Sequence, residues 1–431
     1  MASLQVEIES FSNGENNGLS VFKDKLLILS NNYDYSVILD SNQYTHIPHQ
    51  EYELLAGFGA KSILTSNNFS DLETLHKKKS WLFGFLSYDL KNQLEDLKSE
   101  NFDELEFPEL CFFEPEVLVK IKDGICTIEG DGSVAFLSEL RNVEIEFSLA
   151  LEPINIRSRI SKEKYIKQVL QLLNHIQLGD IFEVNFCQEY FAEKVELDPV
   201  SVYHSLKKIS KTPFASYLKF GDKYCLCASP ERFIKKKSTE VISQPIKGTI
   251  KRGFSEQLDE ELKTALLNNK KEIAENIMIV DLVRNDFSKI AAKGSVEVEE
   301  LLGIYTFPQV HQMISTVKCE VEVELSSIDI IKSCFPMGSM TGAPKVRAMK
   351  LIEQYESTKR SLYSGAIGYI DPVGDFDFNV VIRSLLYNST NNYLSFSVGG
   401  AITHGSTPEL EYQESQLKAK AIFEVLSNKV C

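Results

Sequence analysis

Short apolar runs that alternate with polar residues fill the first third of the chain. Turn residues such as Asp123-Gly124 separate these runs, and this pattern predicts β-strands. The predicted strands are 26–30, 35–41, 81–90, 116–121 and 125–130. The stretch 90–106 is rich in charged residues, which predicts a helix or loop at the surface. We assign residues 1–150 to an N-terminal subdomain.

From about residue 156 the apolar spacing becomes helical, with strands between the helices. Residues 161–180 form one apolar face, with Ser161 as N-cap and Gly179 at the end. Helices are also predicted over 259–291, 346–356 and 410–428, and strands over 181–190, 223–237, 365–371, 378–388 and 393–403. Strands and helices without strict βαβ alternation indicate an α+β fold with antiparallel sheets. We assign 151–431 to a second, catalytic domain, and expect it to pack against the first because no low-complexity linker separates them.

Composition excludes several classes of function. The net charge of −15 argues against nucleic-acid binding. No apolar run reaches the roughly 18 residues of a membrane helix, and the polar, acidic N-terminus is unlike a signal peptide. The eight cysteines lack CxxC spacing, which favours reduced thiols in the cytoplasm. Cys225 and Cys227 alternate as core-facing strand residues do.

Two distant helical segments each carry a pair of glutamates three residues apart, so that each pair shares one helix face. The pairs are Glu272 with Glu275, and Glu411 with Glu414. If the two faces meet, the carboxylates repel unless a cation lies between them, and hard oxygen ligands suit Mg2+. The alternative is two solvated helix faces, neutralised by Lys270, Lys271 and Lys418.

Lys247 and Glu231 are candidates for chemistry. Lys247 lies between Pro245 and Gly248, and is either a surface lysine in a turn or a partly desolvated amine. Glu231, expected on the neighbouring strand, either forms an ion pair or acts as a general acid whose pKa is raised by burial.

Three further features could contact an anionic ligand. The segment 338–350 lacks phosphate-loop spacing, but Pro344 suits the first position of a helix whose N-terminal amides can bind a carboxylate. Arg383 interrupts an apolar strand and needs an anion from the protein or a ligand. Gly399 and Gly400 either admit a ligand to the backbone or mark a strand bulge.

The order of seven segments resembles the chorismate-utilising enzymes, which include anthranilate synthase component I, aminodeoxychorismate synthase component I, isochorismate synthase and salicylate synthase. The segments are SPERF, PIKGT, AENIMIVDLVRND, GSMTGAPKVRAM, YSGAIGYI, VIRSL and ELEYQESQLKAKA. The resemblance is dense over 155–425 and weaker before it. It implies two layered antiparallel sheets flanked by helices, and chorismate as substrate.

The resemblance also implies roles for individual residues. Glu275 and Glu414 resemble direct Mg2+ ligands, and Glu272 and Glu411 resemble carboxylates that hold waters on that ion. Arg383 matches the residue that pairs with the carboxylate of the enolpyruvyl arm. The other positions that match substrate contacts are Gly248, Thr249, Thr341, Tyr363, Gly399, Gly400, Ala401 and Lys418.

Two positions indicate the branch of the superfamily. Members that add water to chorismate carry a lysine where this chain has Glu183. Anthranilate synthases usually carry alanine where this chain has Lys247, whereas aminodeoxychorismate synthases carry lysine, so PIKGT resembles the latter. The resemblance implies that Lys247 attacks C2 of chorismate while Glu231 protonates the departing C4 hydroxyl. Ammonia then attacks C4 and expels the lysine, giving 4-amino-4-deoxychorismate for p-aminobenzoate and folate synthesis.

Three positions depart from the family pattern. Gln312 replaces the usual histidine, with His311 one position earlier; that histidine is tied to pyruvate elimination, so its absence fits a product that keeps the arm. Glu183 replaces the more usual glutamine and is expected to orient ammonia or receive a proton. Ala401 replaces a glycine and narrows that wall.

The resemblance further implies partners. No glutaminase domain is visible, so a separate glutamine amidotransferase subunit is expected to supply ammonia. A tryptophan pocket is expected near Pro213, Phe214 and Ala215, although its N-terminal half cannot be placed. Two alternatives stay open: anthranilate synthase component I, and a catalytically silent subunit that binds chorismate or tryptophan and regulates a partner.

Overall fold

The computed structural model describes residues 3–12, 17–44, 47–147 and 154–427. Two large antiparallel sheets lie in layers, with helices outside them, which confirms the predicted α+β fold. The predicted boundary between residues 150 and 151 lies outside the described residues. Strands from both sides of it contribute to both sheets.

Helices cover the outer faces of the sheets. They are α1 (Gly18–Leu29), α2 (Phe69–His76), α3 (Ser133–Asn142), α4 (Lys162–Gln177), α5 (Pro199–Ile209), α6 (Glu256–Leu267), α7 (Lys270–Ser288), α8 (Ser327–Cys334), α9 (Lys345–Tyr355) and α10 (Pro408–Leu426). Short 3-10 turns lie at Ile8–Phe11, Ser30–Asn32, Tyr88–Gln93 and Gly338–Met340.

The strands alternate with these helices along the chain. They are β1 (Ser3–Val6), β2 (Tyr35–Asp40), β3 (Leu54–Phe58), β4 (Ser62–Ser66), β5 (Leu82–Leu86), β6 (Leu110–Glu114), β7 (Val117–Lys122), β8 (Ile125–Glu129), β9 (Arg157–Ser158), β10 (Glu183–Ala192), β11 (Phe214–Phe220), β12 (Lys223–Ser229), β13 (Arg232–Lys237), β14 (Glu240–Gln244), β15 (Ile246–Lys251), β16 (Glu297–Thr306), β17 (Val310–Glu320), β18 (Gly342–Ala343), β19 (Ala366–Ile370), β20 (Phe376–Asn379), β21 (Ser384–Asn388) and β22 (Tyr393–Thr403).

The larger sheet has the order β1-β8-β7-β3-β2-β11-β12-β21-β22-β10-β18, with β9 paired to β10. The smaller has the order β15-β17-β14-β13-β20-β19-β5-β6-β4, with β16 paired to β17. One buried apolar cluster contains residues from facing sides of both sheets, among them Val37, Phe85, Cys227 and Phe378. Burial of this cluster stabilises the two layers against each other.

Local signals place several elements correctly. Helix α4 begins after Ser161, whose side chain accepts a hydrogen bond from the backbone amide of Lys164, and Gly179 follows it with a φ of +74°. These are the expected cap and stop. Cys225 and Cys227 are both buried on β12, and all seven described cysteines are free thiols.

Other predictions need correction. Residues 26–30 were expected as a strand but end helix α1, because Asn17 caps that helix and Phe22, Leu26 and Leu29 form its buried face. The start of 90–106 is buried rather than exposed, since Lys91 lies in an ion pair with Glu353 at 2.8 Å.

Three predicted elements are divided or shifted. The helix over 259–291 is two helices, because Asn269 caps α7 by accepting from the backbone amides of Lys271 and Glu272. The strand over 378–388 is broken between β20 and β21. Pro344 is the cap residue of α9, one position earlier than expected. Within the described ranges, no helix is long and apolar enough to cross a membrane.

Candidate active site

The site forms where the first residue of β10 meets an interrupted strand of the smaller sheet. Strands β14 and β15 pair with the same edge of β17, and Pro245 breaks the ladder between them. Lys247 follows this break, and its Nζ lies 3.1 Å from Oε1 of Glu183. Glu183 belongs to the larger sheet, paired with Ala343 and Thr403. The ion pair therefore joins the two layers at the site.

Glu231 lies beside this pair. Glu231 was expected on a strand next to that of Lys247, but it lies between β12 and β13, and β13 pairs with β14 and β20 rather than β15. The charge of Lys247 nevertheless acts on the Glu231 carboxyl. Glu231 is buried, with 4% of its surface exposed. Burial raises the pKa of the Glu231 carboxyl to about 7, and the charges of Lys247 and Arg383 oppose this rise only in part. A carboxyl with a pKa near neutrality can donate a proton at physiological pH.

The charge state of Lys247 is set by the surrounding carboxylates. Burial alone would lower the pKa of Lys247, but Glu183, Glu275 and Glu231 outweigh it and hold the pKa above its ordinary value. The lysine is therefore an ammonium ion at neutral pH in this arrangement. A nucleophilic role requires loss of that proton, and Glu183 is the acceptor at ion-pair distance.

The sequence predicted one strand on both sides of Arg383, and the structure instead interrupts that strand here. Arg383 lies between β20 and β21 with a φ of +52°, a conformation that side-chain-bearing residues rarely adopt. Among the described residues, its guanidinium has neither a hydrogen-bond nor an ion-pair partner. Burial lowers the pKa of Arg383, and the charge of Glu231 opposes that shift. This partly buried, unpartnered guanidinium is suited to bind an anion.

The two glutamate-bearing helices face each other. Helix α7 packs against β15 and β17, and α10 against β22. Nζ of Lys271 lies 2.9 Å from Oε1 of Glu411 on α10 and 3.7 Å from Oε1 of Glu275 on α7. The Glu275 and Glu411 residues are 5% and 4% exposed. These two carboxylates are therefore buried and converge on one ammonium.

The second residue of each glutamate pair lies close by. Burial and the charge of Glu414 raise the pKa of Glu272. Burial also raises the pKa of Glu275, to about 7, and Lys247 and Lys271 only partly oppose this. The Glu414 carboxylate lies 2.8 Å from Nζ of Lys418, and although burial would raise its pKa, the lysines lower it. The cluster is a crowded set of like charges that lysines partly neutralise.

The donor set can be compared with the needs of a metal. In the described chain, no three Asp, Glu, His or Cys side chains are arranged to hold a metal ion. Oε1 of Glu275 is nevertheless buried without a hydrogen-bond partner among the described residues. Four carboxylates, one orphaned oxygen and mutual repulsion fit an oxygen-seeking divalent cation such as Mg2+. Binding requires movement of Lys271, which now bridges Glu275 and Glu411.

Glycines open the wall next to this cluster. Gly248 has a φ of +93°, and a Cβ there would lie 3.3 Å from Oε2 of Glu272. A Cβ on Gly400 would lie 3.5 Å from Oε2 of Glu411. Gly399 differs, because a Cβ would lie 2.4 Å from Sγ of Cys187, so its role is close packing of β22 on β10.

The remaining candidates for substrate contact differ from one another in burial and in their hydrogen-bond partners. Lys418 donates to the Gly399 carbonyl at 3.0 Å, and Ala401 is buried opposite Asn185 on β10. Three candidates carry a hydroxyl group and differ in their surroundings. Thr341 donates to the carbonyls of Met337 and Gly338. The hydroxyl of Tyr363 accepts from the Cys187 thiol at 3.8 Å, and Thr249 is exposed. Only the first two are buried in the site region.

His311 and Gln312 point to opposite faces of β17. The ring of His311 is buried, with Nε2 2.9 Å from Oδ1 of Asp259 and Nδ1 3.0 Å from Oγ1 of Thr306. Gln312 pairs with Thr249, and its buried Nε2 has no partner among the described residues. The adjacent histidine therefore does not substitute for the histidine that the family carries at position 312.

Pro213, Phe214 and Ala215 line one side of a second cleft, whose cavity volume is about 50 Å3. The other side includes residues of the N-terminal part of the chain. The N-terminal lining residues are Leu39, Asp40, Ser41, Gln50, Tyr52 and Leu55. Although burial opposes it, Lys23 and Lys207 lower the pKa of Asp40, which lies 2.6 Å from Nζ of Lys23. The cleft is mainly apolar, and the Asp40 carboxylate at its edge is already paired with Lys23.

Sequence reasoning missed the central position of Lys271. It was considered only as one of three lysines that could neutralise a solvated face. Its spacing of four residues from Glu275 is a helical ion-pair signal, but the contact with Glu411 spans 140 residues. No local pattern reveals that contact.

Comparisons with known proteins agree with this geometry. The chain matches the family described as chorismate binding enzyme over residues 36–424. It is 36% identical to an anthranilate synthase component I-like protein of Synechocystis over 80% of this chain and 72% of that protein. It is 32% identical to aminodeoxychorismate synthase component 1 of Bacillus subtilis, over 80% and 76% of the two chains.

A solved structure shares the fold. Anthranilate synthase component I of Streptococcus pneumoniae superposes with a TM-score of 0.78 at 26% identity, covering 88% of this chain and 94% of that chain. The two layered sheets and the family match over most of the chain together identify its family. The chain belongs to the chorismate-utilising enzyme family and acts on chorismate.

Proposed function

We propose that this chain is aminodeoxychorismate synthase component I, which aminates chorismate to 4-amino-4-deoxychorismate. The observation that carries the proposal is the position of Lys247. Its Nζ lies 3.1 Å from Oε1 of Glu183, and it is next to Glu231, whose carboxyl has a pKa of about 7. An amine, a proton acceptor and a proton donor are thus grouped in one buried site. Relatives named aminodeoxychorismate synthase component 1 add support.

The first step forms a bond between Lys247 and the substrate. The ammonium first gives a proton to Glu183, which is favoured once substrate binding excludes water and penalises both charges. The neutral amine attacks C2 of chorismate, both conjugated ring double bonds shift by one position (C1=C2 to C1=C6, and C5=C6 to C4=C5), and the C4 oxygen leaves as water with the proton of Glu231. The products of this step are a secondary ammonium on C2, a Glu231 carboxylate and water.

The second step releases the lysine. Ammonia attacks C4, both ring double bonds shift back, and the C2–N bond breaks with its electron pair returning to Lys247 as a neutral amine. The nitrogen on C4 carries the charge and gives a proton to Glu231, which restores the acid. Two allylic displacements leave the original positions of the ring double bonds, and the enolpyruvyl arm is untouched.

Binding of the two substrate carboxylates is assigned to opposite ends of the site. Arg383, which has no partner in the described chain, pairs with the carboxylate of the enolpyruvyl arm. Glu275 and Glu414 would hold Mg2+ directly, and Glu272 and Glu411 would hold its waters. The ion would supply the positive charge that anchors the ring carboxylate. The carboxylates and Gly400 then form the wall against which the ring lies.

Two partners complete the proposal. A separate glutamine amidotransferase subunit supplies ammonia, in keeping with relatives whose names carry the term component 1. The second cleft, at Pro213, Phe214 and Ala215, takes tryptophan: its apolar walls suit the indole ring, and these walls must move apart to admit it.

Product analysis tests the proposed function. The purified chain is incubated with chorismate, MgCl2 and ammonium, and the products are identified by mass spectrometry. We expect 4-amino-4-deoxychorismate without pyruvate. Release of anthranilate with pyruvate would instead identify an anthranilate synthase, and chorismate binding without consumption would identify a silent regulatory subunit.

A further inference from the structure

Lys271 occupies a central position between the two acidic helices. Its backbone amide donates to the side chain of Asn269 at 3.1 Å, which fixes the lysine in the first turn of α7. Its Nζ reaches across to α10 and lies 2.9 Å from Glu411 while remaining 3.7 Å from Glu275. One ammonium therefore connects carboxylates of both helices.

The two carboxylates depend on this cation. Both are nearly fully buried, and a buried carboxylate without a counter-charge is strongly destabilising. Oε1 of Glu275 has no hydrogen-bond partner in the described chain, so the 3.7 Å contact with Lys271 is its nearest source of compensation. The unpartnered oxygen indicates a binding site for a cation, in which the distant ammonium of Lys271 compensates the carboxylate only in part.

We propose that Lys271 is a built-in counter-ion that competes with the divalent cation for Glu275 and Glu411, so that metal binding is an exchange in which the lysine leaves. This inference rests on the proposed function, which includes Mg2+ at these carboxylates. An ammonium and a divalent cation at the same carboxylate repel each other, so each weakens the binding of the other there. The lysine side chain is 34% exposed and has a flexible stem, so it can turn out to water.

The exchange has two measurable consequences. Lys271 weakens the apparent affinity for Mg2+, because the metal must break an existing ion pair. The same lysine links α7 to α10 when the metal is absent, because it lies in ion-pair contact with a carboxylate of each helix. Removal of the lysine charge therefore tightens metal binding and lowers stability in the presence of a chelator.

The test uses Lys271→Met, with Lys271→Gln as a second variant that keeps a polar group for Glu411. The control is Lys270→Met at the exposed neighbouring position. Mg2+ affinity is measured by titration calorimetry with MgCl2 alone, and the melting temperature is measured in EDTA and in MgCl2. We expect Kd for Mg2+ to fall about tenfold or more in both Lys271 variants, with a lower melting temperature in EDTA that MgCl2 restores.

Each outcome decides the proposal. Tighter binding in the Lys271 variants with an unchanged Lys270 control supports it, as does Mg2+ binding that only the Lys271 variants show. Equal or weaker binding in the Lys271 variants, with normal binding by the unmodified chain, overturns the exchange but leaves the proposed function intact. Failure of every protein to bind Mg2+ overturns both the exchange and the metal in the proposed function.

Discussion

Nζ of Lys247 lies 3.1 Å from Oε1 of Glu183, and the two residues belong to different sheets. Lys247 follows the break at Pro245, whereas Glu183 is the first residue of β10. The contact therefore fixes the amine at the junction of the layers, next to Glu231. Because Glu183 is 1% exposed, the pair is part of the packing as well as part of the site.

Replacement of Lys247 distinguishes its contribution to the reaction from its contribution to the stability of the fold. We expect Lys247→Ala to lower turnover of chorismate about a thousandfold or more while chorismate binding is largely kept. The variant also loses about 3 kcal/mol of stability, because it leaves the buried Glu183 carboxylate without a counter-charge. Steady-state kinetics, calorimetric chorismate binding and urea unfolding measure these effects.

A double variant and a control complete that test. Lys247→Ala combined with Glu183→Gln should regain most of the stability but none of the turnover, since no charge remains buried. Lys251→Ala, at an exposed position of the same strand, should change neither quantity. Full turnover in Lys247→Ala would remove the covalent step from the mechanism.

The pH dependence of the reaction follows from Glu231. The acid must be protonated in the free enzyme, and its pKa is raised to about 7 by burial. Activity that needs the protonated form is present below that pKa and is lost as the pH rises through it. We therefore expect kcat/KM to fall about tenfold per pH unit above neutrality. Glu231→Gln should remove that pH-dependent limb together with most of the rate, and a flat profile in the unmodified enzyme would contradict the assignment.

Local sequence signals explain the elements that were predicted correctly. Ser161 and Gly179 lie at the ends of α4 itself, so its limits are encoded within about twenty residues. Residues 26–30 show the limit of such signals, because a short apolar run suits a buried strand or a buried helix equally well. Packing of Phe22 and Leu26 in the core decided between them.

The site itself could be predicted only as a list of residues. Helical spacing singled out the four glutamates, and the motif resemblance assigned roles to them and to Lys247 and Glu231. Their contacts, however, join segments far apart in the chain. The pairing of Lys247 with Glu183 depends on how two sheets stack, and no periodicity in either strand encodes that. Burial of Glu275 and its effect on the pKa likewise follow from tertiary packing.

Arg383 should affect binding far more than stability. Its guanidinium has no protein partner within the described ranges, so Arg383→Met removes no internal ion pair. We expect an unchanged or slightly higher melting temperature, with chorismate affinity weakened by about 2 to 4 kcal/mol. Arg347→Met is the control, because Arg347 already pairs with Asp180 at 2.7 Å, and it should leave chorismate affinity unchanged. Normal affinity in Arg383→Met, measured by calorimetry, would exclude Arg383 as the anion-binding group.

The adjacent glycines of β22 should respond differently to the same change. Gly399→Ala places a Cβ 2.4 Å from Sγ of Cys187 and 2.5 Å from the Phe186 carbonyl oxygen, so we expect a loss of about 2 kcal/mol or more in stability. Gly400→Ala meets only the ends of flexible side chains at ordinary contact distance, namely Glu411 at 3.5 Å, Lys418 at 3.8 Å and Glu414 at 3.9 Å. The fold should therefore tolerate it while KM for chorismate rises. Thermal unfolding and kinetics on both variants distinguish a packing role from a substrate wall, and equal stabilities would contradict this distinction.

Removal of the Glu183 charge should make Lys247 more reactive. Glu183, Glu275 and Glu231 together hold the pKa of Lys247 above its ordinary value against the effect of burial. A lysine whose folded-state pKa is raised contributes stability below its unfolded pKa, and that contribution is lost as the pH rises through the folded pKa. Glu183→Gln should therefore lower the pKa of Lys247, so that the neutral amine forms at lower pH. Acylation of Lys247 by acetic anhydride should shift to lower pH accordingly. Mass spectrometry of the peptide that contains residues 247–251 measures this, with the exposed Lys251 as an internal control whose profile stays constant. An unchanged pH profile for Lys247 would mean that the contact with Glu183 does not set its charge state, and the proton transfer assigned to Glu183 would lose its basis.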